Sequence, residues 1–193
     1  MSGELADRSE SWQVHEVEDI WSGPAPFSVR RDVISAPADP DTTFGRLVLQ
    51  HPGAVVILAI DEDERVLVLH QYRHPVLRRL VELPAGLLDV EGEDPVVAAR
   101  RELQEEGLVL AERWTHLFTT CSSPGLSSEV IHYYVAEGLS TATDRGDFEP
   151  AGEELDMTVE WVPLTELVEA VRVGRVTDGT TVAAVLGFLQ FRR

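Results

Sequence analysis

Residues 54 to 60 read AVVILAI, a short β-branched apolar run of the kind that fills a buried strand. The charged turn DEDER follows, and VLVLHQY at 66 to 72 runs back, which predicts a hairpin. Upstream, WQVHEVEDIW, PFSVRRDVI and TFGRLVL alternate apolar with polar residues and read as strands, separated by the turn-rich SAPADPDTT. Further strands are expected at 117 to 121 (LFTTC), 129 to 136 (EVIHYYVA) and 157 to 162 (MTVEWV).

Helical spacing recurs three times. Residues 95 to 106 follow Asp94, a suitable N-cap, carry Pro95 at the first helical position and reach a stop at Gly107. Residues 164 to 173 form a short amphipathic helix closed by Gly174. Residues 180 to 193 begin after Gly179 and end on Arg192 and Arg193, basic groups that suit the negative end of a helix. Strands and helices mix without an internal repeat, so the fold class is α+β, a mixed sheet flanked by helices. Residues 1 to 11 read as a flexible tail, 12 to 52 as an amino-terminal β region and 53 to 193 as the main domain.

The charge narrows the possible partners. With 16 basic and 34 acidic residues the chain carries −18, a surface that repels nucleic acid and anionic membranes. An anionic substrate would need a cation to bridge it. No apolar run approaches the roughly 20 residues that span a bilayer, and MSGELADRSES lacks the features of a secretory signal. The lone Cys121 fits a reducing cytoplasm and is expected to be a small buried hydrophobe.

One stretch conflicts with helix electrostatics. RRELQEEG at 100 to 107 puts Glu102, Glu105 and Glu106 at the end of a helix that is already electronegative. Their i, i+3 and i+4 spacing places them on one face, where each like-charge pair costs roughly 0.2 to 0.5 kcal/mol. A solvated surface can absorb that cost, and the spacing alone leaves this reading open. The other reading is a divalent cation, which reverses the sign of every term and prefers oxygen ligands shared with substrate phosphates.

The wider segment ELPAGLLDVEGEDPVVAARRELQEEGL, residues 82 to 108, resembles the Nudix box of the Nudix hydrolases. Gly86 matches its first glycine, Glu93 its first glutamate, and Arg101, Glu102, Leu103, Glu105 and Glu106 its core. Six residues separate Gly86 from Glu93 where the pattern has five. Gly107 directly follows Glu106, so either the helix stops one residue early or Leu108 takes the glycine position. Beyond the box, HQYRHPVLRRLVELPAG, SSPGLSSE and GEELDMTVEWVPL resemble the ADP-ribose pyrophosphatase subfamily.

That resemblance implies a Nudix fold, an α/β/α sandwich with a mixed sheet, and a homodimer formed through the amino-terminal β region. It implies Mg²⁺ or Mn²⁺ held by Glu102, Glu105, Glu106 and the Ala85 carbonyl, with Arg101 orienting the glutamates. A catalytic base is expected in the loop that carries Glu153 and Glu154, and the sequence does not choose between them. Arg73, Glu82, Gly86, Pro124 and Gly125 are expected to bind substrate. Phe27 either stacks on adenine or packs as an ordinary core ring. His70 and His74 read as structural or surface residues. The implied reaction is hydrolysis of ADP-ribose to AMP and ribose 5-phosphate. The alternatives are another nucleoside diphosphate sugar, a dinucleoside polyphosphate, or a nucleotide-binding module without catalysis.

Overall fold

In the computed structural model, which describes residues 5–146 and 148–192, the amino-terminal alternation folds as an antiparallel ribbon. Its strands are β1 (Gln13–Ser22), β2 (Ser28–Ala36) and β3 (Asp39–Gln50), ordered β1-β2-β3. The segment expected as a long turn at 35 to 43 is mostly strand, because Ala36 pairs directly with Asp39 across a tight turn. The loop Ser123–Glu129 belongs to the same compact unit: the Leu49 N–H donates to the Leu126 carbonyl (2.8 Å), and the Ser128 N–H to the Leu49 carbonyl (3.0 Å). Every residue of β1 is exposed, Val14, Val17, Ile20 and Trp21 among them.

The second unit, Pro52–Ser122 with Val130–Arg193, holds the large core. Its strands are β4 (Ala54–Ala59), β5 (Arg65–Arg73), β6 (Arg78–Glu82), β7 (Ala85–Leu87), β8 (Val109–Cys121), β9 (Val130–Thr141) and β10 (Thr158–Pro163). Three helices complete it: α1 (Pro95–Gly107), α2 (Leu164–Arg172) and α3 (Gly179–Phe191). One sheet runs β7-β4-β9-β8, with β4 and β9 parallel; the other runs β10-β5-β6. Because side chains alternate along a strand, β4 feeds two cores. Val56 and Leu58 pack with Leu164, Leu167, Val185 and Phe188 of α2 and α3, while Val55 and Ile57 pack with Ala98, Ala99 and Leu103 of α1. Helices therefore cover both faces, as the sandwich expectation requires.

The expected β4–β5 hairpin is not a paired ladder. Both edges of β4 are taken by β7 and β9, and both edges of β5 by β10 and β6. Beyond a backbone bond across the connecting turn, from the Asp61 N–H to the Arg65 carbonyl, the two segments meet at the bridge from Ile60 to Val66. Asp61 holds that turn by accepting from the Asp63 and Arg65 backbone N–H groups (3.0 and 2.8 Å). β8 extends far upstream of the expected strand at 117 to 121; as an edge strand with many exposed residues it carries little apolar signature. Cys121, at the end of β8, is exposed and not the buried hydrophobe expected.

Helix α1 begins as anticipated, with the Asp94 carboxylate accepting from the Val96 N–H (3.0 Å). Its end differs: Gly107 is still helical, and Leu108 takes the left-handed conformation at φ 54°. Leu108 thus occupies the glycine position. Helix α3 is capped in a similar way by Asp178, whose carboxylate accepts from the Thr181 N–H (2.7 Å). Arg193 lies outside the described residues. No helix among the described residues is long and apolar enough to cross a membrane.

Thr181, fully buried, ties α3 to the chain between β6 and β7, because its Oγ1 accepts from the Leu83 N–H at 3.1 Å. Leu83 is itself buried, so without that acceptor its N–H would lose its partner inside the core. Thr181→Val, which keeps the shape and removes the acceptor, is expected to lower stability by about 1 to 3 kcal/mol. Chemical denaturation checks this, with Thr181→Ser, which keeps the acceptor, losing less.

Candidate functional site

The face of α1 that packs on the core carries Ala98, Ala99 and Leu103, and the same winding draws Glu102 and Glu106 inward. Their residues are only 8% and 7% exposed. They are buried against the turn that β7 presents. Gly86 lies so close to Glu102 that a Cβ there would stand 1.9 Å from the carboxyl carbon and 2.1 Å from Oε1. Only glycine admits the glutamate. One residue earlier, the Ala85 N–H donates to Glu106 Oε2 at 2.9 Å. β7 is held by pairing with β4, Ala85 opposite Val56 and Gly86 opposite Val55, so the central strand fixes the position of both contacts.

Arg101 gathers the remaining acids. Its Nη1 donates to Glu102 Oε1 (2.6 Å) and Glu105 Oε2 (3.2 Å), and its Nη2 to Glu93 Oε2 (3.3 Å). Burial works against this guanidinium, but Glu102, Glu93 and Glu105 outweigh it and raise its pKa above the ordinary value. The carboxylates respond in the opposite direction. Burial pushes the Glu102 pKa up to about 7, with Arg101 opposing and Glu105 adding to the rise. Burial pushes Glu106 up to about 8, opposed by the Ala85 N–H and aided by Glu102 and Glu154.

Arg73 and Glu82, both expected to meet substrate, pair with each other. Arg73 donates from Nε and Nη2 to the buried Glu82 carboxylate, at 2.7 Å for Nη2 to Oε2. That fork holds the Arg73 pKa above its ordinary value, against burial, and Glu106 and Glu153 contribute to the rise. Glu153 and Glu154 lie on a short 3-10 turn, Gly152–Asp156. Glu153 Oε1 accepts from the His74 N–H (3.1 Å), and Glu154 Oε2 from the Ala151 N–H (3.0 Å). Arg79 clamps the end of that turn, donating to the Asp156 carbonyl (2.8 Å) and to its carboxylate. His70 pairs with Glu160 (2.8 Å), consistent with a structural or surface role.

One unit therefore brings together Arg73, Glu82, Ala85, Gly86, Arg101, Glu102, Glu105, Glu106, Glu153 and Glu154. Phe27, Pro124 and Gly125 belong to the other unit. There Phe27 stacks on His51, with centroids 4.9 Å apart, and Pro124 and Gly125 line a cleft with Asp32, Arg46 and Leu47. Sequence reasoning missed two groups beside the acids. Arg145 donates through Nη1 to the main-chain carbonyls of Glu105 and Glu106, and Gln104 Nε2 donates to the carbonyl and side chain of Asp144 (both 3.3 Å). Neither sits in a pattern that a single sequence marks.

Among the described residues no three carboxylate, imidazole or thiol groups converge as a ready-made metal cage. The fit to a divalent cation rests on donor chemistry: clustered carboxylate oxygens are the hard ligands that Mg²⁺ and Mn²⁺ take. Burial of Glu102 and Glu106 would also be relieved by a bound cation.

The family model described as the NUDIX domain matches residues 49–181. The chain is 41% identical over 160 residues to an ADP-ribose pyrophosphatase of Mycobacterium tuberculosis, covering 83% of this chain and 75% of the relative. It is 37% identical over 172 residues to a methanol dehydrogenase activator of Bacillus methanolicus, 88% of each chain. A solved structure titled as an ADP compounds hydrolase superposes with TM-score 0.76 at 21% identity, covering 96% of both chains, which shows the fold.

Two outcomes follow from this geometry. Gly86→Ala must displace the Glu102 carboxylate and is expected to weaken Mn²⁺ uptake about tenfold or more, read by calorimetry, while the protein stays folded. The second concerns pH. Folding raises both carboxyl pKa values from the ordinary 4.5, so the folded state holds protons that the unfolded state releases. This contribution is complete below about pH 4.5 and is lost as pH rises through about 7 and 8. In chelator the melting temperature should fall between about pH 5 and 8, and the Glu102→Gln, Glu106→Gln double variant should flatten that slope.

Proposed function

The chain belongs to the Nudix family, and from that we propose that it hydrolyses the diphosphate bond of ADP-ribose, giving AMP and ribose 5-phosphate. The carrying observation is the set of three glutamates at the end of α1, two of them buried against Ala85 and Gly86 and Arg101 spanning the third. The name of the Mycobacterium tuberculosis relative supports ADP-ribose as substrate. Nudix hydrolases generally use divalent metal ions; here Mg²⁺ or Mn²⁺ would be held by Glu102, Glu105 and Glu106, with the Ala85 carbonyl. Such an ion, when bound, neutralises the two phosphates and acidifies nearby water.

The chain's own groups then divide the work. Gly86 admits the Glu102 carboxylate, and the Ala85 N–H fixes one oxygen of Glu106, so the acids need little reorganisation. Arg101 sets Glu102 and Glu105 in one orientation. Arg73 uses Nε and Nη2 for Glu82 and turns its remaining nitrogen to substrate phosphate or ribose. Water attacks phosphorus, the bridging oxygen leaves with one phosphate, and a glutamate of the 152–156 turn takes the proton. Glu154 is favoured as that base, because its charge lies near enough to Glu106 to raise the latter's pKa.

A homodimer goes with this reading, supported by the exposed apolar residues of β1. A cytoplasmic site of action belongs to the same reading, which the chain's single cysteine, without a partner for an intramolecular disulfide, fits.

Product analysis with a panel of nucleoside diphosphate derivatives and Mg²⁺ tests the proposal. ADP-ribose should be cleaved fastest, with AMP released, and Glu106→Gln should lower turnover about a hundredfold or more. Faster cleavage of GDP-mannose would overturn the substrate. Tight ADP-ribose binding without AMP release would identify a binding module instead.

A further inference from the structure

The acids at the end of α1 leave a problem that Arg101 does not solve. Arg101 answers the side-chain charges, but the last turn of the helix also presents carbonyl oxygens with no intrahelical partner. Here that end carries no basic residue of its own. Arg145, from the segment after β9, reaches it and donates to the carbonyls of Glu105 and Glu106.

Two further contacts tie the same segment to the same helix end. The Ala142 N–H donates to the Leu108 carbonyl at 2.9 Å, an orientation set by the left-handed turn at Leu108. Gln104 Nε2, one turn back on α1, donates to Asp144, whose carboxylate also accepts from the Gly146 N–H (3.0 Å). These bonds to the α1 helix end precede, by a short length of chain, the 3-10 turn that carries Glu153 and Glu154. Arg79 holds the far end of that turn through Asp156.

We infer that Arg145 is a positioning residue for hydrolysis: by capping the carbonyls of Glu105 and Glu106 it registers the base-bearing turn against the acidic helix. This rests on reading the 152–156 turn as the source of the base. Arg145 acts on the helix end through backbone carbonyls. It gives the negative helix end a cation without using up the side chains that face the substrate. Loss of this cap would let the segment drift, and a displacement of about 1 Å at a reacting group costs on the order of a hundredfold in rate.

The test uses the full chain with Arg145→Gln, Arg145→Lys and, as a control on an exposed ion pair of α2, Arg172→Gln. Arg145→Gln is expected to lower kcat for ADP-ribose about ten- to a hundredfold with KM within about twofold. Arg145→Lys, able to serve one carbonyl, should recover part of the loss, and Arg172→Gln should change nothing. Hydrogen exchange without substrate should speed up at 152 to 156 while amides at Ala98 and Ala99 hold. In the background of whichever of Glu153→Gln and Glu154→Gln is more damaging, Arg145→Gln should add no further loss. Unchanged exchange at 152 to 156, or rate losses that multiply in the double variant, would overturn the inference. Should Arg145→Gln not fold, Arg145→Lys carries the same readings. If the wild-type chain leaves ADP-ribose intact, the proposed hydrolysis fails on its own, and the exchange data still decide whether Arg145 tethers the turn.

Discussion

Burial of two carboxylates at the negative end of a helix is the constraint around which this domain is built. Charged groups out of water are costly unless partners stand ready, and the raised pKa values of Glu102 and Glu106 record that cost. Each nearby element answers part of it. β4 positions β7, β7 supplies the Ala85 N–H and the bare Gly86 backbone, and Arg101 bridges the acids from their own helix. The alanines of α1 serve the same end. Ala98 and Ala99 let the helix approach Val55 and Ile57 closely, which brings its last turn down on Gly86.

Leu108 shows how tightly that helix end is specified. A non-glycine residue in the left-handed region costs roughly 1 to 2 kcal/mol, so glycine would be the easier choice at 108. The chain instead has glycine at 107, where a Cβ would stand 2.5 Å from Leu67 Cδ2 in the core. A side chain at 107 would crowd the buried Leu67, while Leu108 carries the left-handed turn and its backbone strain. Because α1 continues through Gly107, the spacing of Glu102, Glu105 and Glu106 is untouched.

What can be read from sequence follows from what is local. β4 is legible because both its faces are buried, and α1 because cap, proline and periodicity agree along one stretch. The glutamates are legible because helical spacing alone puts them on one face. Partnerships between distant segments are not. VLVLHQY looks like the return strand of a hairpin with 54 to 60, yet it makes its hairpin forward, with β6 across the short 74–77 connection, and its other edge goes to β10, far enough along the chain that no local pattern announces it. His70 reaches both with polar contacts, its carbonyl accepting from Arg79 and its ring meeting Glu160. Cys121 looks apolar in composition, but its place on an edge strand exposes it. Arg145 and Gln104 carry no signal, since capping a helix from another segment leaves no pattern in either.

The distribution of cations bears on how so acidic a chain could meet a diphosphate. Arg73 is forked onto Glu82, Arg79 onto Asp156, Arg101 onto three glutamates and Arg145 onto two carbonyls. Each of these positive groups is already engaged in holding the protein's own oxygens. A substrate with two phosphates would therefore encounter a net-negative field in which these cations are largely balanced by the protein's own oxygens. Positive charge that arrives with the substrate resolves the conflict, and it does so at the same carboxylates whose burial raised their proton affinity. The features that make the helix end unfavourable alone, buried acids and a negative dipole, are those that strengthen a divalent cation's hold there.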